Sequence, residues 1–306
     1  MQLISHTITR LKLGSPQVHF NLALFPLLGE SDSTPAYLLL DEALERKLAR
    51  VTEVSAEGRV PELSFENPSA QKILLVDGDE LVGAKQNRIL NLTILVGAGQ
   101  KLIIPVSCVE QRRWRYRSAE FASAGRTLFA KARARKMSQV NHSMATAHAR
   151  TANQSDVWAD VAQKVALSGA SSETLAMADA YESRASRLEA YVRGFRPELR
   201  QLGAVVAIDG RPVGLELFDS SAAFARYLGK LVGSYALDAL ETENGKTLAP
   251  TEASVQHFLD SICTAEGQRF AALGEGEDIR LTGKGIAGGA LAVNGRLVHL
   301  AGFAHP

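Results

Sequence analysis

Lys85, Gln86, Asn87 and Arg88 stand in four consecutive positions between two apolar runs. Arg can hold a phosphate or carboxylate through two parallel hydrogen bonds, and Lys acts as a mobile point charge. Gln and Asn each offer donors and acceptors, which suit hydroxyls, amides or a base edge. Together they match a sugar-phosphate or nucleotide-like ligand better than a bare ion. The ordinary alternative is a surface turn with its side chains in water. Against it, the adjoining "RILNLTILV" should be buried, which would hold the polar groups in place. Glu80, just upstream, adds a carboxylate able to act as general acid or base.

A second group lies in "PVSCVEQRRWRY". Cys108 and Glu110 are two residues apart, so a strand puts them on one face. Arg112 and Arg113 could lower the thiol pKa, but no histidine can be assigned as its base. A free Cys in a strand is usually a small buried hydrophobe. Glu110 is therefore the better catalytic candidate. Trp114 could stack on a base or an Arg, although an aromatic here also suits a core. The third group is dispersed. Glu216 lies in an otherwise apolar strand, and Asp219 precedes a helix it could cap. His299 sits in the last strand, where a structural role is common. These three join Lys85, Gln86, Asn87, Arg88, Arg113 and Trp114 as candidate ligand-binding residues.

Standard signatures are missing. There is no GxGxxG opening a helix, no GxxxxGK[ST] loop and no HExxH, and the seven histidines are dispersed. The His pair and Glu of a cupin metal site are absent from 78–110. No metal site and no cofactor can be assigned.

The elements that must position these residues follow from patterning. "QLISHTITRLKL" and "VHFNLALFPL" alternate and predict strands, and "PAYLLLDEALERKLARV" predicts a short amphipathic helix. β-rich runs follow, broken at Asp77-Gly78, an Asp-Gly hairpin signal, and at Gly97-Ala98-Gly99. From Ser118 to about Arg200 the pattern is helical, with Ser155 or Asp156 as a cap, a stop at Gly169 and Ser172 as a further cap. Strands return in hairpins around Asp209-Gly210 and Asn294-Gly295, separated by two amphipathic helices. Three hairpins look alike. If they sat side by side they would bring Lys85 to Arg88, Glu216, Asp219 and His299 together. The prediction is one α+β domain over 1–306, with a β-rich core from the N- and C-terminal segments and a largely helical insert at about 119–200.

The chain has 306 residues, 46% hydrophobic and 22% charged, with a net charge of +1. That composition is globular and gives no global attraction to nucleic acid or anionic lipid. Two distant cysteines make no disulfide framework. No signal peptide or membrane span is visible, so a cytoplasmic protein is expected. From Lys101 to Arg150 there are three Lys and eight Arg against two Glu. This basic window should serve a small anion or internal pairing rather than duplex nucleic acid, for which no motif is present. Homo-oligomerisation is left open.

The stretches "DGDELVGAKQNRILN", "IPVSCVEQRRW", "GLELFD" with the following "YALDAL", and "VHLAGF" resemble the ARG and rhodanese-phosphatase-superfamily-associated protein family, a bacterial domain of unassigned biochemistry. The resemblance covers nearly the whole chain; Arg112 stands where Gly is expected. By association with ADP-ribosyl-glycohydrolase and phosphatase-like proteins, it implies a link to NAD or ADP-ribose. Two expectations follow. One is a protein that binds, and as an enzyme would hydrolyse, a nucleotide-derived phosphorylated ligand. The other is a non-catalytic ligand-binding or protein-interaction module.

Overall fold

The computed structural model describes residues 2–30, 35–243 and 250–304. The helix α1 (Gln2–Thr9) leads into strands β1 (Lys12–Leu13), β2 (Gln17–His19), β3 (Leu22–Leu28) and β4 (Tyr37–Leu39), then helix α2 (Leu40–Glu45). Strands β5 (Arg50–Glu53), β6 (Glu62–Glu66), β7 (Lys72–Leu75), β8 (Asp79–Gly83), β9 (Arg88–Leu90), β10 (Ile94–Val96), β11 (Lys101–Cys108) and β12 (Phe121–Thr127) follow. The helices α3 (Ala130–Ala147), α4 (Gln154–Ser168), α5 (Met177–Ser183) and α6 (Ala185–Arg193) come next. After β13 (Gln201–Ile208) and β14 (Arg211–Phe218) come α7 (Ser221–Ala239) and α8 (Glu252–Thr264). The described chain closes with β15 (Glu266–Ala271), β16 (Glu277–Gly283), β17 (Ile286–Val293) and β18 (Arg296–Ala304).

The fold is α+β, as the patterning predicts, and the terminal segments share one nine-stranded sheet. Its order is β1-β3-β13-β14-β18-β17-β16-β15, with β2 on β3. Period-2 alternation sends the side chains of β3 to both faces. Ala23, Phe25 and Leu27 join Ile4 and Ile8 of α1 and Val255, Phe258 and Ile262 of α8 on one side. Leu22 and Leu24 meet the packing of α3 and α7 on the other. Six of the eight strands between residues 50 and 127 form a sheet in the order β12-β8-β9-β11-β6-β5, and the other two join β4 in a three-stranded sheet, β10-β7-β4.

Four local expectations are corrected. Residues 2–9 are a helix because Ile4 and Ile8, one turn apart, both find the α8 surface, and tertiary burial outweighs a weak alternation. The predicted 35–51 helix shrinks to α2, since Tyr37–Leu39 is recruited as a strand parallel to β7. The helical insert opens with a strand, β12, which pairs with β8 through a bulge between Ser123 and Thr127. Finally, Asp77-Gly78 is no hairpin. A two-residue type I′ turn needs positive φ at both central residues. Asp209 and Gly210 (φ 49° and 74°) and Asn294 and Gly295 (φ 50° and 74°) meet that demand. At the first site only Gly78 does (φ 88°). There β7 and β8 part company into different sheets, and Asp77 turns inward to Lys136.

The predicted caps shift by a few residues. Asn153 rather than Ser155 or Asp156 caps α4, whose C-cap is Gly169 as expected. Ser172 accepts from the backbone N–H of Ala176, just before α5. Among the described residues no helix is long and apolar enough to cross a membrane.

On β8 the alternation also separates two acids. Asp79 faces α7, where it accepts from Tyr227 Oη and Lys230 Nζ, both at 3.0 Å; Lys230 also reaches Asp41 at 2.6 Å. Burial lifts the Asp79 carboxyl from an ordinary 3.8 to about 6, against the pull of Lys230. The folded value exceeds the unfolded one, so the folded chain holds the extra proton between the two. The stability this provides is full below pH about 4 and lost as pH rises through about 6. The Asp79→Asn chain, permanently neutral there, should therefore gain on the parent by about 2–3 kcal/mol between pH 4 and pH 7.5. Urea unfolding of both proteins at the two pH values measures this, and a constant difference would refute it.

Candidate functional site

The loop between β8 and β9 carries Lys85 to Arg88. All four are buried, although they are polar. They pack against the end of β11, because β9 pairs with β11 and sets Cys108 opposite Arg88. Gln86 Nε2 donates to the Glu110 carbonyl at 2.9 Å, and its Oε1 accepts from Arg88 Nη1 at 3.1 Å and from Cys108 Sγ at 3.2 Å. The Asn87 backbone N–H donates to Glu110 Oε2 at 3.1 Å. Its carboxamide bridges Arg113 Nη2 (3.1 Å) and Glu80 Oε1 (3.4 Å). The carboxamides of Gln86 and Asn87 are thus engaged within the protein and position the charged groups.

Arg113 joins Glu110 at 2.7 Å, and its Nη1 donates to the Ala84 carbonyl at 2.7 Å. Glu80 is bound by Arg126 at 2.6 Å. The two candidate acids therefore sit in one network, differently poised. Burial pushes the Glu80 carboxyl up, and Arg126 and Asn87 only partly offset it. Burial acts on Glu110 too, but hydrogen bonds from Arg113, the Asn87 N–H and Thr174 hold it below the usual carboxylate range. Burial raises the Cys108 thiol, which makes it a poor nucleophile.

Arg88 has the most unusual setting. It is fully buried, and Nη1 alone is used. Nε and Nη2 have no hydrogen-bond partner among the described residues. These two N–H groups form one edge of the guanidinium, the side-on fork that grips a carboxylate or phosphate. Burial lowers the Arg88 pKa in spite of Glu53 and Glu110 nearby, so the folded chain bears a net penalty for this charge. The ring of Trp114 lies over it at 5.7 Å, and Lys85 Nζ stands 5.2 Å from Trp114 and 5.1 Å from Tyr116. Trp114 and Tyr116 are themselves about half exposed. They form an aromatic ledge between the buried cations and solvent.

Several residues here escaped the sequence reading. Glu53 approaches from β5 and accepts the Lys85 N–H at 3.3 Å. Its inward direction was legible, since Val51 and Glu53 share a buried face. Gln154 of α4 brackets Cys108, accepting its N–H and donating to its carbonyl, both at 2.8 Å. Nothing in the helical pattern of 154–168 signals that contact.

The third group lies elsewhere. Glu216 and His299 are on the paired strands β14 and β18 and meet at 2.8 Å. Arg133 of α3 grips Glu216 with two bonds of 3.0 Å. The Thr93 hydroxyl accepts from the Asp77 N–H (3.2 Å) and so can donate to His299 Nδ1 (3.0 Å). That leaves His299 Nε2–H to donate to Glu216. Asp77 also binds Lys136 at 2.7 Å, 3.8 Å from Arg133 Nε. This cluster is sealed between the large sheet and α3. Asp219 is exposed and accepts from Tyr37 Oη at 2.6 Å, and the N-cap of α7 is Ser220. Because β8 belongs to a different sheet from β14 and β18, Lys85 to Arg88 contact none of Glu216, Asp219 and His299 in any described hydrogen bond or ion pair.

The basic window is largely paired internally. Arg113, Arg126, Lys131, Arg133, Arg135 and Lys136 each meet a carboxylate. Among the described residues no group of three or more His, Cys, Asp or Glu is placed to hold a metal ion.

The ARG and Rhodanese-Phosphatase-superfamily-associated Protein domain matches residues 10–303 of the chain. The chain therefore belongs to this family, whose biochemistry is unassigned. No curated protein and no solved structure gives a significant match.

Proposed function

We propose, with membership of that family as the premise, that the chain binds a nucleotide-derived phosphorylated ligand at the β8–β9 loop. The carrying observation is the fully buried Nε/Nη2 fork of Arg88, which has no hydrogen-bond partner among the described residues. A buried guanidinium edge without acceptors is costly and calls for an oxyanion to complete it. Lys85 adds a second positive charge, and the Trp114–Tyr116 ledge offers a stacking surface for a base. The family's association with ADP-ribosyl-glycohydrolase and phosphatase-like proteins makes ADP-ribose and NAD the first ligands to try.

Hydrolysis at this site would fall to Glu80, whose raised carboxyl suits proton transfer better than the ionised Glu110. The competing reading is a binding module without chemistry. It is favoured by the ties of Glu80 to Arg126 and of Glu110 to Arg113, which leave neither acid idle.

Thermal unfolding with NAD, ADP-ribose, ADP and inorganic phosphate tests the binding. A ligand at about 100 times its Kd should add roughly 2.7 kcal/mol of stability. No shift with any phosphate compound at millimolar concentration would defeat the proposal. Turnover of a stabilising ligand, lost in Glu80→Gln and kept in Cys108→Ser, would identify an enzyme. Binding without turnover would identify the module.

A further inference from the structure

The carboxamides of Gln86 and Asn87 are spent on Glu110, Arg88, Arg113 and Glu80, so hydroxyl recognition must come from other groups. Two buried acceptors remain around Arg88. Glu53 Oε2 has no hydrogen-bond partner among the described residues, while Glu53 Oε1 takes the Lys85 N–H. Glu110 Oε1 likewise accepts no bond of good geometry, with Arg117 at 3.8 Å. Glu53 holds the Lys85 N–H at 3.3 Å and Glu110 the Asn87 N–H at 3.1 Å, so both carboxylates are fixed to the loop that runs into Arg88. The loop and its surroundings thus hold a guanidinium edge and carboxylate oxygens that have no hydrogen-bond partner among the described residues.

A bare or purely anionic ligand would satisfy the fork and be repelled by the acids. A simple cation would do the reverse. A molecule with an oxyanion and hydroxyl donors a few ångströms apart satisfies both. We infer that the ligand class is a sugar phosphate, its phosphoryl group on the Arg88 fork and a sugar hydroxyl donating to Glu53. This rests on the Arg88 reading and extends it by assigning Glu53 as a specificity-determining residue. A hydroxyl given to a buried carboxylate forms a charge-assisted bond, and a ligand lacking it leaves that carboxylate unpaired.

Calorimetric titration of the full chain with ribose 5-phosphate and with ethyl phosphate, which has no hydroxyl, is the test. The expected result is a preference of about tenfold or more for ribose 5-phosphate, worth about 1.4 kcal/mol. In Glu53→Gln the preference should collapse, with ethyl phosphate binding retained. The ratio of affinities does not depend on the folded fraction, so partial destabilisation of the variant leaves it readable. Equal affinities in the parent, or an unchanged ratio in Glu53→Gln, would overturn the assignment of Glu53 and leave the Arg88 site standing. Failure of both phosphates to bind the parent would instead remove the Arg88 site itself.

Discussion

The Arg88→Met chain should lose about a hundredfold or more in affinity for phosphate-bearing ligands and yet unfold at the parent temperature or above it. Two charge-assisted hydrogen bonds from one fork are worth about 1.5 kcal/mol or more each, and the loss of about 3 kcal/mol is about a hundredfold in Kd. The stability side follows from the same geometry. Nε and Nη2 leave water on folding and find no protein acceptor among the described residues, and burial drives the Arg88 pKa down. Met fills a similar volume without that penalty. A residue kept at a cost to stability is the usual mark of a functional position. Calorimetric titration with the best ligand and a thermal melt of the free protein measure the two halves. A loss of several kcal/mol in stability, with affinity unchanged in the folded fraction, would make Arg88 a structural residue.

Arg133→Met should behave in the opposite way and cost about 3–5 kcal/mol. Arg133 is as deeply buried as Arg88, but its two terminal nitrogens both grip Glu216. Although burial opposes its charge, Glu216 and Asp77 prevail and lift its pKa well above the ordinary value. Removing it would leave the Glu216 carboxylate sealed in the core with only the His299 Nε2–H donating to it among the described residues. The double variant Arg133→Met, Glu216→Leu removes both charges and should recover at least half of the loss, because an apolar pair of similar volume needs no compensation. Urea unfolding of the parent, both single variants and the double variant closes the cycle. A single-variant cost below about 1 kcal/mol would show that the pair does not hold α3 to the large sheet.

The contrast between these two arginines marks the limit of sequence reading here. Both lie in polar company, and nothing in their neighbours along the chain distinguishes a guanidinium held through both terminal nitrogens from one held through a single nitrogen. The carboxylate that grips Arg133 comes from β14, far along the sequence, and the contacts of Arg88 depend on how β9 and β11 pair.

Much was nevertheless local. The alternation in Gln201–Ile208 and Arg211–Phe218, with Asp209-Gly210 between them, specified a hairpin because turn conformation and face alternation are properties of adjacent residues. The long amphipathic helix α7 and the Gly169 stop of α4 were readable for the same reason. Tertiary structure alone decided that Asp77-Gly78 would break a strand pair instead of closing one. It also decided that Glu216 and His299 would meet Arg133 in the core, away from Lys85 to Arg88. Those outcomes depend on which sheet each strand joins, and strand pairing between distant segments is selected by the burial of whole faces, a sum over the chain that no local window contains.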